Sequence, residues 1–151
     1  MFRFANKSKS NLMNLKVQVT LSIIEIDENG VENRKFFTPL SLERDFVIFF
    51  PSSWTIVHPI DDTSPLFGMT QEDFTNSQPE LMILVSGFDD SFDANVHIRQ
   101  AYDINDIEWG AKFVKIFGAA EDGRPLVDLG KLDYFDKMPI EHLIGEVKSE
   151  K

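Results

Sequence analysis

The sequence predicts an all-β fold, an immunoglobulin-like β-sandwich with one or two short helices. Apolar and polar residues alternate over several short segments, which is the period of a half-buried strand. Turn-forming residues separate about eight such segments at intervals of roughly 8–12 residues. The 151 residues suit one domain, and hydrophobic residues make up 42% of them, enough to build a core.

The clearest strand covers residues 15–23, where every second side chain is apolar and is expected to face a core. These apolar positions are Leu15, Val17, Val19, Leu21 and Ile23. The Asn29-Gly30 pair that follows predicts a hairpin turn, because both residue types tolerate a positive φ. Residues 31–40 are then expected to return beside the first strand.

The middle of the chain predicts two strands and one short helix. Residues 46–50 are all apolar, which favours a buried strand, and Pro51 closes it. Residues 54–60 predict another short strand. Thr70 can cap a helix with Asp73 three residues later, the pattern of a capping box with aspartate in place of glutamate.

The remaining segments predict four strands and a second helix. Residues 81–85 are strongly apolar and residues 92–98 alternate, so each segment predicts a strand. Residues 112–117 and 126–129 predict a final pair of strands joined by a loop. Residues 139–147 have the amphipathic pattern of a short helix.

These elements divide the chain into a β-sandwich domain over residues 1–137 and a C-terminal tail over residues 138–151 that can form the short helix. The sequence has no apolar run near the 20 residues that a membrane-spanning helix needs. It also lacks the apolar segment of a secretory signal. On these grounds alone the chain is expected to be a cytoplasmic domain.

The net charge of −10 is unevenly distributed. Residues 1–24 contain no acidic side chain, whereas Arg3, Lys7, Lys9 and Lys16 give this segment a charge of +4. The rest of the chain therefore carries −14. A basic N-terminal segment on an acidic body can face an anionic surface, or can simply be solvated. The acidic body argues against nucleic acid as a partner.

The side chains that common enzymes and metal sites need are scarce. The chain has no cysteine, and its three histidines are far apart in sequence, so we expect no metal site. Nucleotide-binding and hydrolase motifs are missing too. Asp89 and Asp93 have calcium-loop spacing, but Ala94 stands where such a loop needs glycine. We expect no cofactor and no enzyme activity.

Several motifs together resemble one family, the cytoplasmic C-terminal domain of inward-rectifier potassium channels, especially its prokaryotic branch. The strongest are WTIVHPIDDTSPLFG at residues 54–68 and IEWGAKF at residues 107–113. RFAN at residues 3–6 resembles the start of the family's domain, and LVSGFDDSF at residues 84–92 resembles its apical pore loop. RQAY at residues 99–102 and LVDL at residues 126–129 complete the series, which follows the family's order over about residues 1–135.

The resemblance implies an immunoglobulin-like sandwich that acts as a pore-extending and regulatory domain. Four copies would surround a cytoplasmic path for potassium ions, and acidic side chains facing this path would concentrate K⁺ and polyamines. Basic residues at the membrane-proximal edge would meet lipid headgroups or the linker to the pore. The transmembrane pore domain is missing from this chain, which therefore is not expected to conduct ions alone.

The resemblance also assigns roles to individual residues. Gly87 would give the apical loop the freedom for a tight turn, and Phe88 would form its constriction. Nine residues are expected to line the pore or its apical loop: Gly87, Phe88, Asp89, Asp90, Asp93, Asn14, Ser86, Glu43 and Asp45. Arg3, Lys7 and Lys9 are expected to face lipid or the linker. Arg99 is expected to pair with an acidic residue near the loop, and His58 to pack at a loop or subunit contact.

Two pore positions depart from the family's strong rectifiers. Those channels carry acidic residues at two pore positions that are Asn14 and Ser86 here, so strong polyamine block is in doubt. Glu43 and Asp45 can compensate from another loop.

The main alternative is a free-standing β-sandwich that binds a protein or a carbohydrate, with Phe36 and Phe37 as candidate contacts. An acid/base hydrolase would need two converging carboxylates, to which nothing in the sequence points.

Overall fold

The fold is described from a computed structural model, which covers residues 1–8 and 10–139 for description. Within these residues the chain forms eleven strands, one α-helix and two 3₁₀ turns. The strands are β1 (Phe2–Ala5), β2 (Leu12–Ile26), β3 (Glu32–Phe37), β4 (Phe46–Phe49), β5 (Ser53–Ile56), β6 (Glu80–Asp89), β7 (Ala94–Asp103), β8 (Ala111–Phe113), β9 (Phe117–Ala119), β10 (Pro125–Val127) and β11 (Phe135–Lys137). The helix α1 is Gln71–Asn76, and the 3₁₀ turns are Ile104–Asp106 and Leu129–Lys131.

Five of the strands form one antiparallel sheet around β2. Its order is β3-β2-β6-β7, and β4 pairs with β2 on the side that β3 also occupies. The other strands form three antiparallel pairs, β1 with β5, β9 with β10, and β8 with β11. The pair β2 and β6 is the centre of the sheet, because both of its members have partners on either side.

The core lies between this sheet and the elements that cover it. All five apolar positions predicted for the first strand are buried in β2. Trp54 and Ile56 of β5 and Phe74 of α1 pack in the same cluster, which brings a second layer onto the sheet. The predicted all-β sandwich is confirmed, and its immunoglobulin-like character is compatible with this arrangement.

The hairpin between β2 and β3 is confirmed. Gly30 has a φ of +77°, and the Asp27 carboxylate accepts the backbone N–H groups of Asn29 and Val31 at 2.9 Å. The bonds from Val31 and Asn29, with a further one from the Asn33 side chain, hold the pKa of Asp27 below its ordinary value. Of the predicted pair Asn29-Gly30, only Gly30 has a backbone conformation in the left-handed region.

The capping box of α1 is also present. The Thr70 hydroxyl accepts the backbone N–H of Asp73, and the Asp73 carboxylate accepts the hydroxyl and backbone N–H of Thr70. These bonds to the charged carboxylate lower the pKa of Asp73. The reciprocal bonds satisfy amide groups that a helix start leaves without partners, which explains why so short a helix forms here.

The prediction that residues 46–50 form a buried strand is wrong in its burial. The strand β4 exists, but among the described residues it pairs with β2 alone, and Ile48 and Phe49 are 58% and 76% exposed. The strand predicted over residues 54–60 is shorter, since β5 ends at Ile56. An apolar run therefore marked an edge of the sheet rather than its centre.

The C-terminal third also differs from the prediction. Phe92 lies in the turn before β7 and is 77% exposed, so the apolar positions of residues 92–98 do not form a buried face. The segment 112–117 is divided between β8 and β9, and β11, which the sequence did not indicate, pairs with β8. The helix predicted from residue 139 falls on residues outside the described part of the chain.

None of the helices in the described ranges has the length and apolar character needed to cross a membrane.

Candidate functional site

The pairing of β2 with β6 contains a bulge at the end of the sheet. Met13 pairs with Phe88 and Lys16 with Ser86, so two residues of β2, Asn14 and Leu15, oppose Gly87 alone. Asn14 has a φ of +53°, a left-handed conformation that asparagine adopts more readily than most residues. Bulges of this kind bend a strand and redirect its side chains.

Gly87 allows the bulge to lie close to β6. A Cβ atom at this position would lie 3.1 Å from Cγ of Leu15 and 3.2 Å from the carbonyl oxygen of Met13. The expected role of Gly87 in a tight turn is therefore wrong. It lies within β6 outside the left-handed region, and its missing side chain makes room for the core.

A shallow depression of about 320 Å³ lies over this bulge. It is lined by Asn14, Ser86, Gly87, Phe88, Asn95 and His97. The structure thus brings together four of the predicted pore residues and adds two from β7, which pairs with β6 in register. The lining offers amide, hydroxyl and imidazole groups beside one aromatic ring, and it contains no carboxylate.

The hairpin between β6 and β7 ends in a short turn beside this depression. Asp90 and Asp93 are exposed in the turn, as expected for residues that contribute a negative field. Asp89 is not: it is only 6% exposed, and its carboxylate accepts the backbone N–H of Ser91 at 2.9 Å. Asp89 therefore stabilises the turn from within, and its expected place at the pore or its apical loop stays a prediction that this burial does not favour.

Two rows of side chains cross the sheet beside the depression. Lys16, Ser86 and His97 occupy paired positions on β2, β6 and β7, and the next row contains Gln18, Leu84 and Arg99. Directly paired residues of antiparallel strands point to the same side of a sheet. The expected ion pair of Arg99 is not found among the described residues.

Glu43 and Asp45 lie in the segment that leads into β4. Two backbone bonds fix this segment, from the Glu43 N–H to the Val57 carbonyl at 2.9 Å and from the Val17 N–H to the Asp45 carbonyl at 2.7 Å. Both acidic side chains are exposed. Asp45 lines a second depression with Lys16, and neither acid lines the depression over the bulge.

The basic N-terminal segment is only partly free. Arg3 donates from Nε to the Thr55 hydroxyl at 2.8 Å and from a terminal nitrogen to the Val114 carbonyl at 2.9 Å, and it lies over the Phe113 ring. These contacts join β1 to β5 and β8. The expected orientation of Arg3 toward lipid or the linker stays a prediction, which these contacts do not favour. Lys7 is exposed. Lys9 falls outside the described residues.

His58 joins two loops. Its Nδ1 lies 2.6 Å from the carbonyl oxygen of Ser41, and its Nε2 lies 2.7 Å from the hydroxyl of the buried Ser64. The Ser64 hydroxyl also accepts the backbone N–H of Leu66. The described residues contain no group of three histidines or carboxylates suited to a metal ion.

The aromatic residues proposed for the alternative binding module differ from each other. Phe36 is exposed on β3, whereas Phe37 is partly buried against the core and also contacts the Lys35 ammonium. Of the two residues, only Phe36 is therefore exposed as a ligand contact requires.

Comparison with known families agrees with the motifs. The model of the inward rectifier potassium channel C-terminal domain matches residues 1–150. The chain belongs to this family. The resemblance drawn from the motifs is thereby confirmed, and the family is one of channel domains rather than of enzymes.

Individual channels resemble this C-terminal domain to different degrees. The inward rectifier potassium channel Kirbac3.1 of Paramagnetospirillum magnetotacticum is 40% identical over 131 residues, which cover 87% of this chain and 44% of that protein. The human ATP-sensitive inward rectifier potassium channel 12 is 29% identical over 75% of the chain and 27% of its own length. Human channel 15 is 26% identical over 89% and 37%. The domain thus spans less than half the length of these relatives.

The sequence motifs did not indicate Asn95 or His97. The pairing register of the hairpin between β6 and β7 could have indicated them, because Asn95 pairs with Phe88 and His97 pairs with Ser86.

Proposed function

We propose that the chain is the cytoplasmic, pore-extending and regulatory domain of an inward-rectifier potassium channel. In this proposal residues 1–137 form the channel domain, and four copies surround the path of K⁺ on the cytoplasmic side of the membrane. The observation that carries it is the convergence of Asn14, Ser86 and Phe88 at one end of the sheet. Asn14 comes from β2, and Ser86 and Phe88 come from β6. In this proposal they meet where the family's apical loop would narrow the pore.

The turn residues supply the electrostatic part of the proposal. Asp90 and Asp93 are exposed at the tip of the hairpin, and four copies of this turn would place eight carboxylates around a narrow opening. Such a ring raises the local concentration of cations, because low-dielectric walls focus its field. Phe88 would form the constriction itself, and its ring is partly buried against the bulge.

Below the ring of turn carboxylates, the proposed pore surface would bind polyamines only weakly. Asn14 and Ser86 are neutral, and the depression that they line carries no carboxylate. Polyamines carry several charges and need several carboxylates along the pore. Glu43 and Asp45 are exposed on a separate segment and would act only if the neighbouring copy brings them to the pore.

In this proposal the basic N-terminal segment mediates regulation of the channel. Lys7 and Lys9 would meet anionic lipid headgroups or the linker to the membrane part, each contributing about 1 kcal/mol at an anionic surface. In this proposal Arg3 does not share the role, because its guanidinium donates to Thr55 and Val114. It would instead hold the strand that follows the linker against the sandwich.

Ion flux through a chimeric channel tests the proposal. This chain would replace the C-terminal domain of the Paramagnetospirillum relative, and rubidium flux into liposomes would be measured. We expect flux in the parent chimera and a reduced inward flux when Asp90→Asn and Asp93→Asn are combined. Glu28→Gln is the control, since Glu28 lies in the turn at the opposite end of β2. Equal effects of the two changes would contradict a pore role for the hairpin.

A further inference from the structure

The turn between β2 and β3 contains the only asparagine that glycine follows in the sequence, Asn29 before Gly30. Asn29 is exposed, and within the described residues its side-chain amide takes part in no hydrogen bond. The space around Gly30 is open, because nothing would lie within 4 Å of a Cβ atom added to it. No neighbouring side chain therefore shields the amide carbon of Asn29 from the backbone nitrogen of Gly30.

These two groups can react with each other without an enzyme, which is one reason why asparagine is thermolabile in proteins. The Gly30 nitrogen bonds to Cγ of Asn29, the Cγ–Nδ2 bond breaks, and Nδ2 leaves as ammonia with the proton that the Gly30 nitrogen loses. Water then opens the cyclic succinimide at either carbonyl and returns a proton to the nitrogen. Opening at Cγ gives aspartate, and opening at the backbone carbonyl gives isoaspartate. Water is the only co-reactant.

The backbone of the closed turn opposes this reaction. The Gly30 N–H donates to the Asp27 carbonyl at 2.9 Å, which closes a β-turn over residues 27–30. Gly30 follows in the left-handed region, so the loop has the common form of a type I turn followed by a left-handed glycine. The attacking nitrogen must release its bond to Asp27 before it can lose its proton. The reaction therefore requires an open turn.

The Asp27 carboxylate holds the turn closed. It accepts the backbone N–H groups of Val31 and Asn29 at 2.9 Å each, and the Asn33 amide lies 3.4 Å from its second oxygen. The bond from Val31 contributes most to the lowering of the Asp27 pKa, so the carboxylate is charged at neutral pH. One charged group thus joins both sides of the loop, which makes opening of the turn rarer.

The hairpin between β9 and β10 has the same turn without this carboxylate. Gly123 has a φ of +79°, and its N–H donates to the Ala120 carbonyl at 2.8 Å, as that of Gly30 does to Asp27. Asp122 occupies the position of Asn29, and Ala120 occupies the position of Asp27. The chain therefore contains an internal comparison for the effect of the Asp27 side chain.

We propose that Asn29 is a site of spontaneous deamidation and that Asp27 sets its rate by holding the turn closed. This inference goes beyond the proposed function and does not depend on it. In this role Asp27 is a positioning residue, since it acts on the reaction only through the turn. The reaction proceeds from the fraction of molecules in which the turn is open.

Both products change the hairpin. Each adds a carboxylate to a turn that already exposes Asp27, Glu28 and Glu32, and like charges at such short range repel. Isoaspartate also lengthens the backbone by one carbon, so the bonds to Asp27 no longer match. The strand β3 pairs with β2 alone among the described residues, and its attachment depends on this hairpin. The modified chain should therefore unfold at lower urea concentration than the parent.

Incubation of the full chain in neutral buffer tests the proposal. Mass spectrometry of its peptides locates deamidation, and an isoaspartate methyltransferase labels isoaspartate. Among the asparagines, Asn29 should convert first. Asp27→Ala should raise its rate about tenfold or more, because opening of the turn limits the reaction. Glu28→Ala is the matched control, since it removes an exposed carboxylate of the same turn that accepts no hydrogen bond among the described residues. Its rate should equal that of the parent.

A substitution in the other hairpin gives a second test. Asp122→Asn creates an Asn-Gly pair in the turn that has Ala120 in place of Asp27. This new pair should convert faster than Asn29 in the same molecule. Slower or equal conversion there would contradict the control of the reaction by Asp27.

Unfolding in urea separates the site from its control. With the turn open, Asn29 of the parent and of Asp27→Ala should convert at one common rate, faster than in the folded parent. A folded parent that converts as fast as the unfolded chain would overturn the role of the turn. Absence of conversion at Asn29 even in urea, or earlier conversion at another asparagine of the folded chain, would overturn the site itself.

Discussion

A Cβ atom on Gly87 would lie 3.1 Å from Cγ of Leu15, which is closer than nearly all real contacts of this kind. Leu15 is one of the most buried core residues, and its strand bulges toward Gly87 at this point. The core and the proposed pore surface therefore meet at this pair of residues. A change at Gly87 affects both.

Gly87→Ala should destabilise the chain by about 1–3 kcal/mol, the usual cost of forcing an extra carbon into a packed site. Urea unfolding measures it. Gly118→Ala is the matched control, since Gly118 also lies in a strand, but nothing lies within 4 Å of an added Cβ there. A Gly87 variant as stable as the Gly118 variant would show that the bulge adjusts freely.

Substitutions of Arg3 and Lys7 should affect different properties of the chain, stability for Arg3 and membrane binding for Lys7. Arg3→Ala should lower the free energy of unfolding by about 1–2 kcal/mol, because it removes two charge-assisted hydrogen bonds of a partly exposed side chain. Its binding to anionic phospholipid vesicles should remain unchanged. Lys7→Ala should weaken vesicle binding by a few-fold and leave stability unchanged, since Lys7 is exposed. Cosedimentation with vesicles and urea unfolding measure the two properties. Weaker vesicle binding by Arg3→Ala, or lower stability of Lys7→Ala, would contradict these roles.

The capping box should make stability depend on pH in the acid range. Hydrogen bonds from Thr70 depress the folded-state pKa of Asp73, so the unfolded chain binds more protons there. The stabilising effect is complete above the unfolded pKa near 3.9 and is lost as the pH falls toward the folded value.

Unfolding free energies measured from about pH 6 to about pH 3 should fall less steeply for Asp73→Asn than for the parent chain. Thr70→Ala should flatten the profile as well and also lose about 1 kcal/mol at neutral pH. Identical slopes in all three chains would rule out the capping carboxylate as a source.

Ser86→Glu should increase polyamine block in the chimeric channel. The substitution adds one carboxylate per copy to a depression that has none. We expect the spermine concentration for half-block to fall at least tenfold, because four new charges would face one path. Ser86 suits this test better than Asn14, whose positive φ would strain a glutamate. Asn33→Glu, on the edge strand β3, should leave block unchanged; an equal increase there would indicate a nonspecific charge effect.

The local patterns predicted local structure well. The alternation of residues 15–23, the Asn29-Gly30 turn and the Thr70–Asp73 box each depend on neighbours in sequence, and each is present. Burial of β4 could not be predicted in the same way. An apolar run indicates a strand, but whether a strand lies at the centre or the edge of a sheet depends on its partners.

The candidate site shows the same limit. The family motifs indicated Asn14 and Ser86 as pore residues, and these do line one depression. The resemblance did not indicate that Asp89 is buried or that Arg3 is bound to Thr55 and Val114, since both facts arise from contacts between distant segments. A bulge of one residue likewise decides that Gly87 serves packing rather than a turn.

The central claim is that the β6–β7 turns of four copies converge on one axis. It is tested most directly by electron spin resonance of the chain with a spin label on Asp90→Cys, under conditions where sedimentation shows tetramers. Fourfold convergence predicts labels close enough to broaden each other's spectra, with two separations in a ratio of about 1.4 for adjacent and diagonal copies. Tetramers whose labels are too far apart to interact, or that show a single separation, would contradict the claim.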